Sequence, residues 1–486
     1  MCGGRFNRAF SIMSRFFAEL YRMKFKLIFF IRDRSLNFKY NIFYKCFTDM
    51  TDTVDEGLDL QTLVNYSTCP RNYDYVIKQL GKMYGTVIIT VDADFSVQEL
   101  VAYANSVEAF AIMSNTTSFL LYEGNWRLWS SKDIDMENLI CKEYNRKALM
   151  QTLGLSYRQM AFFSTISGCY KLLPYEEIKR FRSQLGILGM ANFVREHYSA
   201  LNKPRELQAI VSIIYYRSHV NRQMVETFRR SLMYHTTESI PNRNPTKDHV
   251  IDTLLALDHS LPYKIWTRQN CNIITYFIDM RLPELGKQFP QLIIPIFQRL
   301  AGIVLFHKRN QRQIYDGRDV ILVIKIDHLA EHQEKTVTAQ FPEDITPPPL
   351  LDLYSSDPIL CVNLYSTKLQ LYCWVVSNGL EHGVLETIPE RLRVTVSTIF
   401  FLMENHILKL FEADLLLQVA FDVMHETFDH ETIKYPSRLD SRAFHVVFVY
   451  QEFYNHFSEA VKLVGLAGKD FRNYPPPICR VEGTRR

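Results

Sequence analysis

The chain has 486 residues, 47% of them hydrophobic and 22% charged, the balance of a globular protein with a sizeable core rather than of a low-complexity chain. A formal net charge of +4 excludes a bulk electrostatic signature of nucleic-acid binding, so any such role must rest on local clusters. Nine cysteines, none at C-x-x-C spacing, argue against a zinc ribbon or a disulfide framework and favour a reducing, intracellular compartment, nuclear or cytoplasmic.

Residues 10–31 read as a helix and then a strand, with Phe16, Phe17 and Leu20 leading into the apolar run Phe25 to Ile31. The first 50 residues hold ten Lys or Arg and three Asp or Glu, a balance that also suits a mitochondrial presequence. Residues 50–70 carry Asp52, Asp55, Glu56 and Asp59, next to Asp49, and read as an acidic connection or arch-like insertion. The short apolar run Val87 to Thr90 is followed by Asp92 and Asp94. An amphipathic helix comes next (Val97, Leu100, Val101, Ala104), and then a second apolar run, Ala109 to Met113. Strand, acidic loop, helix and strand form the grammar of a parallel α/β unit.

From Asp133 onward the spacing is helical. Tyr144–Leu153 and Ser156–Ile166 read as helices separated by Gly154, and Leu207–Leu232 as one long helix. A break around Pro241 and Pro245 is the expected main boundary. Beyond it, His249–Leu257, Asn272–Met280 and Glu390–Phe428 show helical spacing, with Pro389 suited to an early helical position. Phe341 to Leu350, with three consecutive prolines, reads as an extended, solvated linker. The longest apolar stretch, Ile399 to Met424, is broken by Glu404, Lys409, Glu412 and Asp414, so no run reaches the roughly 18–20 residues of a membrane span.

The segment Gly85 to Arg180 resembles the internal region of the XPG and flap-endonuclease superfamily, most closely its asteroid branch. The run FFAELYRMKFKLIFFI is similar to that family's approach to its second sheet strand. The resemblance implies an α/β PIN/XPG-like domain with a parallel central sheet, followed by a mainly α-helical C-terminal region. In those terms residues 1–200 form the nuclease-fold domain, with an N-region at 10–50 and an internal region at 80–180. Residues 201–240 form a long helical arm, 246–470 an asteroid-like helical region, and 471–486 a basic disordered tail. A further strand and a catalytic Asp normally come earlier in the family pattern, and an N-terminally shortened fold is the expectation here.

In that superfamily strand-end carboxylates hold two divalent cations roughly 3.5–4 Å apart for phosphodiester hydrolysis. The family's Glu-Ala-Asp appears as Asp92-Ala93-Asp94, and its Asp-Ser-Asp-Phe as Thr116-Thr117-Ser118-Phe119. Its Gly-Asn-Asp appears as Gly168-Cys169-Tyr170, and Asp33 matches a further acid only after a two-residue slip. Thr116, Ser118 and Cys169 therefore stand where the family places carboxylates. Two divalent cations bring four positive charges, which hydroxyls cannot balance. Asp92 and Asp94 suffice for one weakly held Mg²⁺, or serve simply as acids ahead of a helix N-terminus.

Other patterns point less far. Leu185 to Ala191 is faintly similar to a helix-hairpin-helix turn, and reads as a helix start rich in small residues. His425 and His430 are five apart, about 140° around a helix, which breaks the zinc-protease pattern. His328 and His332 read as an exposed polar helix face. Arg217, Arg222, Arg229 and Arg230, interleaved with Tyr215, Tyr216 and Tyr234, form a basic cluster on the long helix. A second lies at His307, Lys308, Arg309 and Arg312. Such clusters can grip phosphates and stack bases, or be the solvated face of an amphipathic helix.

The expected function is a catalytically impaired nuclease-fold adaptor for single-stranded or branched nucleic acid or for a protein partner, with no membrane and no small-molecule substrate. One alternative is an active metal-dependent single-strand or flap DNA endonuclease, completed by Asp33 or the acidic 49–59 segment. The other is a pure protein-interaction scaffold or coactivator.

Overall fold

Helical periodicity dominates the chain, and helices make up most of the computed structural model. The residues described are 6–32, 72–90, 96–168, 175–217, 219–235, 248–257, 259–267, 289–308, 326–328, 331–333, 337–425, 427 and 441–466. The chain divides into two compact units, one combining Met1–Ile89 with Pro245–Arg486, the other formed by Thr90–Asn244. No described helix is long and apolar enough to cross a membrane.

The first unit opens with helix α1 (Phe6–Arg22), strand β1 (Leu27–Arg32), helix α2 (Asn72–Tyr84) and strand β2 (Gly85–Thr90). Phe10, Met13 and Leu80 are buried where α1 meets α2, and Phe17 packs edge-on against Phe29 of β1 at 5.0 Å. The helix-then-strand expectation for 10–31 holds. The C-terminal part adds α9 (His249–Ala256), α10 (Ser260–Thr267), α11 (Phe289–Leu305), β6 (Ile326–His328), β7 (Glu331–Gln333) and α12 (Leu350–Leu353). It ends with α13 (Pro358–Val376), α14 (His382–Thr387), α15 (Glu390–Glu404), α16 (Leu410–Met424) and α17 (Ser441–Leu463). Leu300, Tyr372, Leu402, Tyr450, Phe453 and Phe457 are buried in its core, which α11, α13, α15 and α17 share.

Three expectations need correction in this unit. The Glu390–Phe428 pattern is two helices, α15 and α16, because the chain turns at Asn405 to Lys409. His406 takes a positive φ of 58° there, and Ile407 and Leu408 are buried. Pro389 caps α15 from outside rather than occupying its first turn. His328 and His332 lie on the antiparallel hairpin of β6 and β7, with Asp327 opposite His332, so a period of two governs that segment and no helix face exists.

The proline segment at 341–350 is not a fully solvated linker: Pro342, Pro347 and Leu350 are buried, and the Pro347 carbonyl accepts from His307 Nε2 at 2.7 Å. Just ahead of it Val337 and Ala339 are buried while Thr338 and Gln340 are exposed, the alternation of a strand-like strap. The Gln340 N–H donates to the Gln298 carbonyl of α11 at 2.9 Å, and Gln298 Nε2 donates to the Thr338 carbonyl at 3.1 Å. Gly302 makes the close approach possible: a Cβ there would stand 1.7 Å from the Gln340 carbonyl oxygen.

The second unit contains α3 (Ser96–Ser106), β3 (Ala111–Met113), a 3₁₀ turn at Thr117–Leu121, β4 (Arg127–Asp135) and β5 (Ile140–Tyr144). Its helices are α4 (Arg146–Leu153), α5 (Tyr157–Gly168), α6 (Tyr175–His197), α7 (Pro204–Tyr215) and α8 (Arg222–Tyr234). β2 pairs with β1, whereas β3 pairs parallel with β4, and β4 antiparallel with β5. Among the described residues of these segments the expected parallel pairing is seen between β3 and β4, and the strands form two small sheets. The helical reading from Asp133 starts too early: strands reach to Tyr144, and helices follow only from Arg146. Leu128 and Ser130 are buried while Arg127 is exposed, and the Asp135 carboxylate accepts from the Glu137 and Asn138 N–H groups to turn the chain into β5.

The expected long helix at Leu207–Leu232 is a helical pair. α7 ends at Tyr216 in the left-handed conformation, and Asn221 caps α8, its side chain accepting from the Met224 N–H at 2.8 Å. Folding α8 back lets Ile210, Val211, Ile214 and Phe228 meet Phe162 and Phe181 in one core. α6 is broken at Gly186 (φ 61°, ψ −174°), so Leu185 to Ala191 spans the end of one helical stretch and the start of a second.

Candidate nucleic-acid interface

At the carboxyl end of β3 the chain turns through Ser114 to Ser118. The Ser114 N–H donates to the Trp129 carbonyl of β4 at 2.9 Å, and the Thr116 N–H donates to the Ser114 hydroxyl at 3.0 Å. Thr116 is exposed, Ser118 is half-buried, and Phe119 is buried edge-on against Trp126. This strand end offers hydroxyls. They can donate to a phosphate oxygen but cannot neutralise divalent charge, so the described part of the expected site does not fit Mg²⁺. Asp33, Asp92, Asp94, Cys169 and the 49–59 segment lie outside the described residues, as do Asn272 to Met280, Arg309, Arg312 and the 471–486 tail. Among the described residues no group of three or more His, Cys, Asp or Glu is placed to hold a metal ion.

The loop behind that turn is held by one buried cation. Arg146, at the start of α4, is 8% exposed. It donates to the carbonyls of Tyr122 (2.8 Å), Gly124 (2.7 Å) and Trp126, and its guanidinium lies 3.7 Å from the centre of the Trp126 ring. Asn105 of α3 accepts from Trp126 Nε1 at 2.9 Å and donates to the Glu123 carbonyl at 3.1 Å. The turn at Thr116–Ser118 therefore rests on a fixed support.

The four predicted arginines separate. Arg222, Arg229 and Arg230 are all exposed on α8. At 100° per residue they fall within about 100° of arc, with Glu226 between them, on the side opposite buried Phe228. Arg217 is not on a helix. It follows Tyr216, and its guanidinium reaches toward the Met224 sulfur at 4.0 Å, on a different flank of α8 from the Arg222–Arg229 stripe. The far end of α8 is pinned to α5, where Ser164 Oγ lies 3.1 Å from Nε2 of buried His235. Burial pulls that imidazole down to about 4, so it is neutral at physiological pH.

Sequence reasoning missed Arg180. This residue of α6 sits with its guanidinium 4.6 Å over the ring of Tyr216, and the Tyr216 hydroxyl donates to Gln184 Oε1. Nothing local signals a partner 36 positions away, and only the packing of α6 on α7 brings the two together. Compared with protein-family models, curated proteins and solved structures, the chain matches none.

Proposed function

We propose that the chain is an asteroid-like protein with a degenerate PIN/XPG-like nuclease fold that works as a nucleic-acid-binding adaptor rather than as an enzyme. The observation that carries this reading is the exposed face of α8, where three arginines share one side of a capped, core-anchored helix. Fixed cations on a rigid element grip phosphates and release counterions. The uncharged turn at the end of β3 supports the same reading, because Thr116 and Ser118 are hydrogen-bonding groups without the charge that two-metal hydrolysis needs.

A second reading, a protein-interaction scaffold, draws on α16. Leu410, Phe411, Leu415 and Phe421 are all exposed on that helix, an unusual concentration of apolar surface.

Fluorescence anisotropy of labelled oligonucleotides across a salt series separates these readings. The adaptor reading expects salt-dependent binding, and Arg222→Ala, Arg229→Ala and Arg230→Ala together should lower the logarithmic salt slope by roughly 2, since single strands release about 0.7 counterion per contact. Salt-independent binding, or none, would favour the scaffold. Magnesium- or manganese-dependent cleavage of flap DNA that disappears in an Asp92→Ala, Asp94→Ala variant would instead establish an active nuclease.

A further inference from the structure

Tyr216 is held in a conformation that tyrosine disfavours. Its φ of 52° and ψ of 42° lie in the left-handed region, where Gly or Asn would close a helix with less strain. The turn presents the ring at the surface, 41% exposed, with one face under the Arg180 guanidinium and the hydroxyl tied to Gln184. Just beyond Gln184, the break at Gly186 leaves Ile187 and Leu188 exposed at 65% and 62%. Cation and aromatic ring thus meet directly, and exposed aliphatic side chains follow within four residues of Gln184 along the chain.

That mixture discriminates between kinds of nucleic acid. A duplex shows phosphates and sugars on its outside, with base faces stacked within, so it would satisfy the arginines and leave the ring and aliphatic groups uncovered. An unpaired strand offers phosphates and free base faces together. We infer that Tyr216, backed by Arg180, is a base-stacking platform that makes this unit select single-stranded over double-stranded nucleic acid. The inference rests on the nucleic-acid reading of the α8 stripe and assigns the choice of unpaired strands to named residues. A base on the open side of the ring completes a stack of guanidinium, phenol and base. Because every base has a π face, the preference is for unpaired strands rather than for a sequence.

The test uses the full chain with oligo(dT) of about 20 nucleotides and a duplex of equal length, read by anisotropy at fixed low salt. Wild type should prefer the single strand. Tyr216→Asn, which tolerates the left-handed backbone but has no ring, should lose about tenfold in single-strand affinity and keep its duplex affinity within twofold. Tyr216→Trp should keep the preference, and its thermal transition serves as the control for folding. The triple arginine variant of α8 should weaken both ligands. Wild-type single-strand affinity in Tyr216→Asn, or no strand preference in wild type, overturns the platform and leaves the α8 reading standing. Binding of neither oligonucleotide by wild type removes the α8 reading, and the platform with it.

Discussion

Replacing Arg146 by Met keeps an unbranched apolar stem, two atoms shorter than the arginine, and removes its five donors. Two of its three carbonyl partners, Tyr122 and Trp126, are bonded in buried surroundings and the third, Gly124, is partly buried. A buried acceptor left unpaired costs about 1–3 kcal/mol, and water can reach the Gly124 carbonyl, so the first two dominate. The lost cation–π contact over Trp126, at 3.7 Å, adds about 1–2 kcal/mol. Local relaxation offsets part of this, and the expected local destabilisation is about 3–5 kcal/mol. Arg146→Lys keeps the charge but not the fork, and should cost about 1–2 kcal/mol. With two units in the chain, a global melt would blur the effect. Hydrogen exchange of peptides covering residues 120–132 isolates it, and there 3–5 kcal/mol corresponds to roughly a hundred- to several-thousand-fold faster exchange. A change of less than threefold in the Met variant would refute the view that Arg146 holds this loop.

Gly302→Ala places a Cβ against the Gln340 carbonyl at 1.7 Å, and should destabilise the first unit by at least about 2 kcal/mol in chemical denaturation. Residues 337–347 should resist limited proteolysis, because they are bonded to α11 through Gln298 and to His307 just beyond it. Acidification should weaken the second unit through His235, whose folded value of about 4 lies below the ordinary 6.5. The unfolded chain takes up the proton first, so about 3 kcal/mol is lost progressively as pH falls from about 6.5 to about 4, and His235→Gln should flatten that slope in denaturation at stepped pH. Arg442→Leu should cost about 2–4 kcal/mol by thermal denaturation, since the buried Glu412 carboxylate accepts from Arg442 Nε at 2.9 Å while also capping α16 through the Lys409 N–H at 2.8 Å.

Elements whose apolar residues repeat on one face were legible in the sequence. α1, α4, α5 and α9 appear within a few residues of their expected bounds. Where the period misled, the reason is geometric. The apolar stripes of α7 and α8 are in phase across the turn, so Leu207 to Phe228 read as one helix although Asn221 starts a second. In β4 the alternation spans only Leu128 and Ser130 before a bulge interrupts it, too short a signal to outweigh the helical spacing that follows. The proline run hid the burial of Pro342, Pro347 and Leu350, because an unpaired extended segment reads as a linker until its neighbour is known. Of the candidate interface, the spacing of Arg222, Arg229 and Arg230 was readable from one helix. The different flank taken by Arg217, and the Arg180–Tyr216 pair, depend on tertiary packing and were not.

The division of the chain sets an order of events during synthesis. Residues up to Ile89 leave the ribosome ahead of the other unit, yet their own unit is complete only when α17 and its end near Leu466 have been made, some 377 residues later. At roughly 5–20 residues per second this is a wait of roughly 20–75 s. The unit of Thr90–Asn244 is contiguous, and all of it emerges within that interval. The α1–α2 pair, with its own small core of Phe10, Met13 and Leu80, must meanwhile hold β1 and β2 together without its C-terminal companion. The candidate nucleic-acid interface can therefore be assembled while the other half of the protein is still being translated.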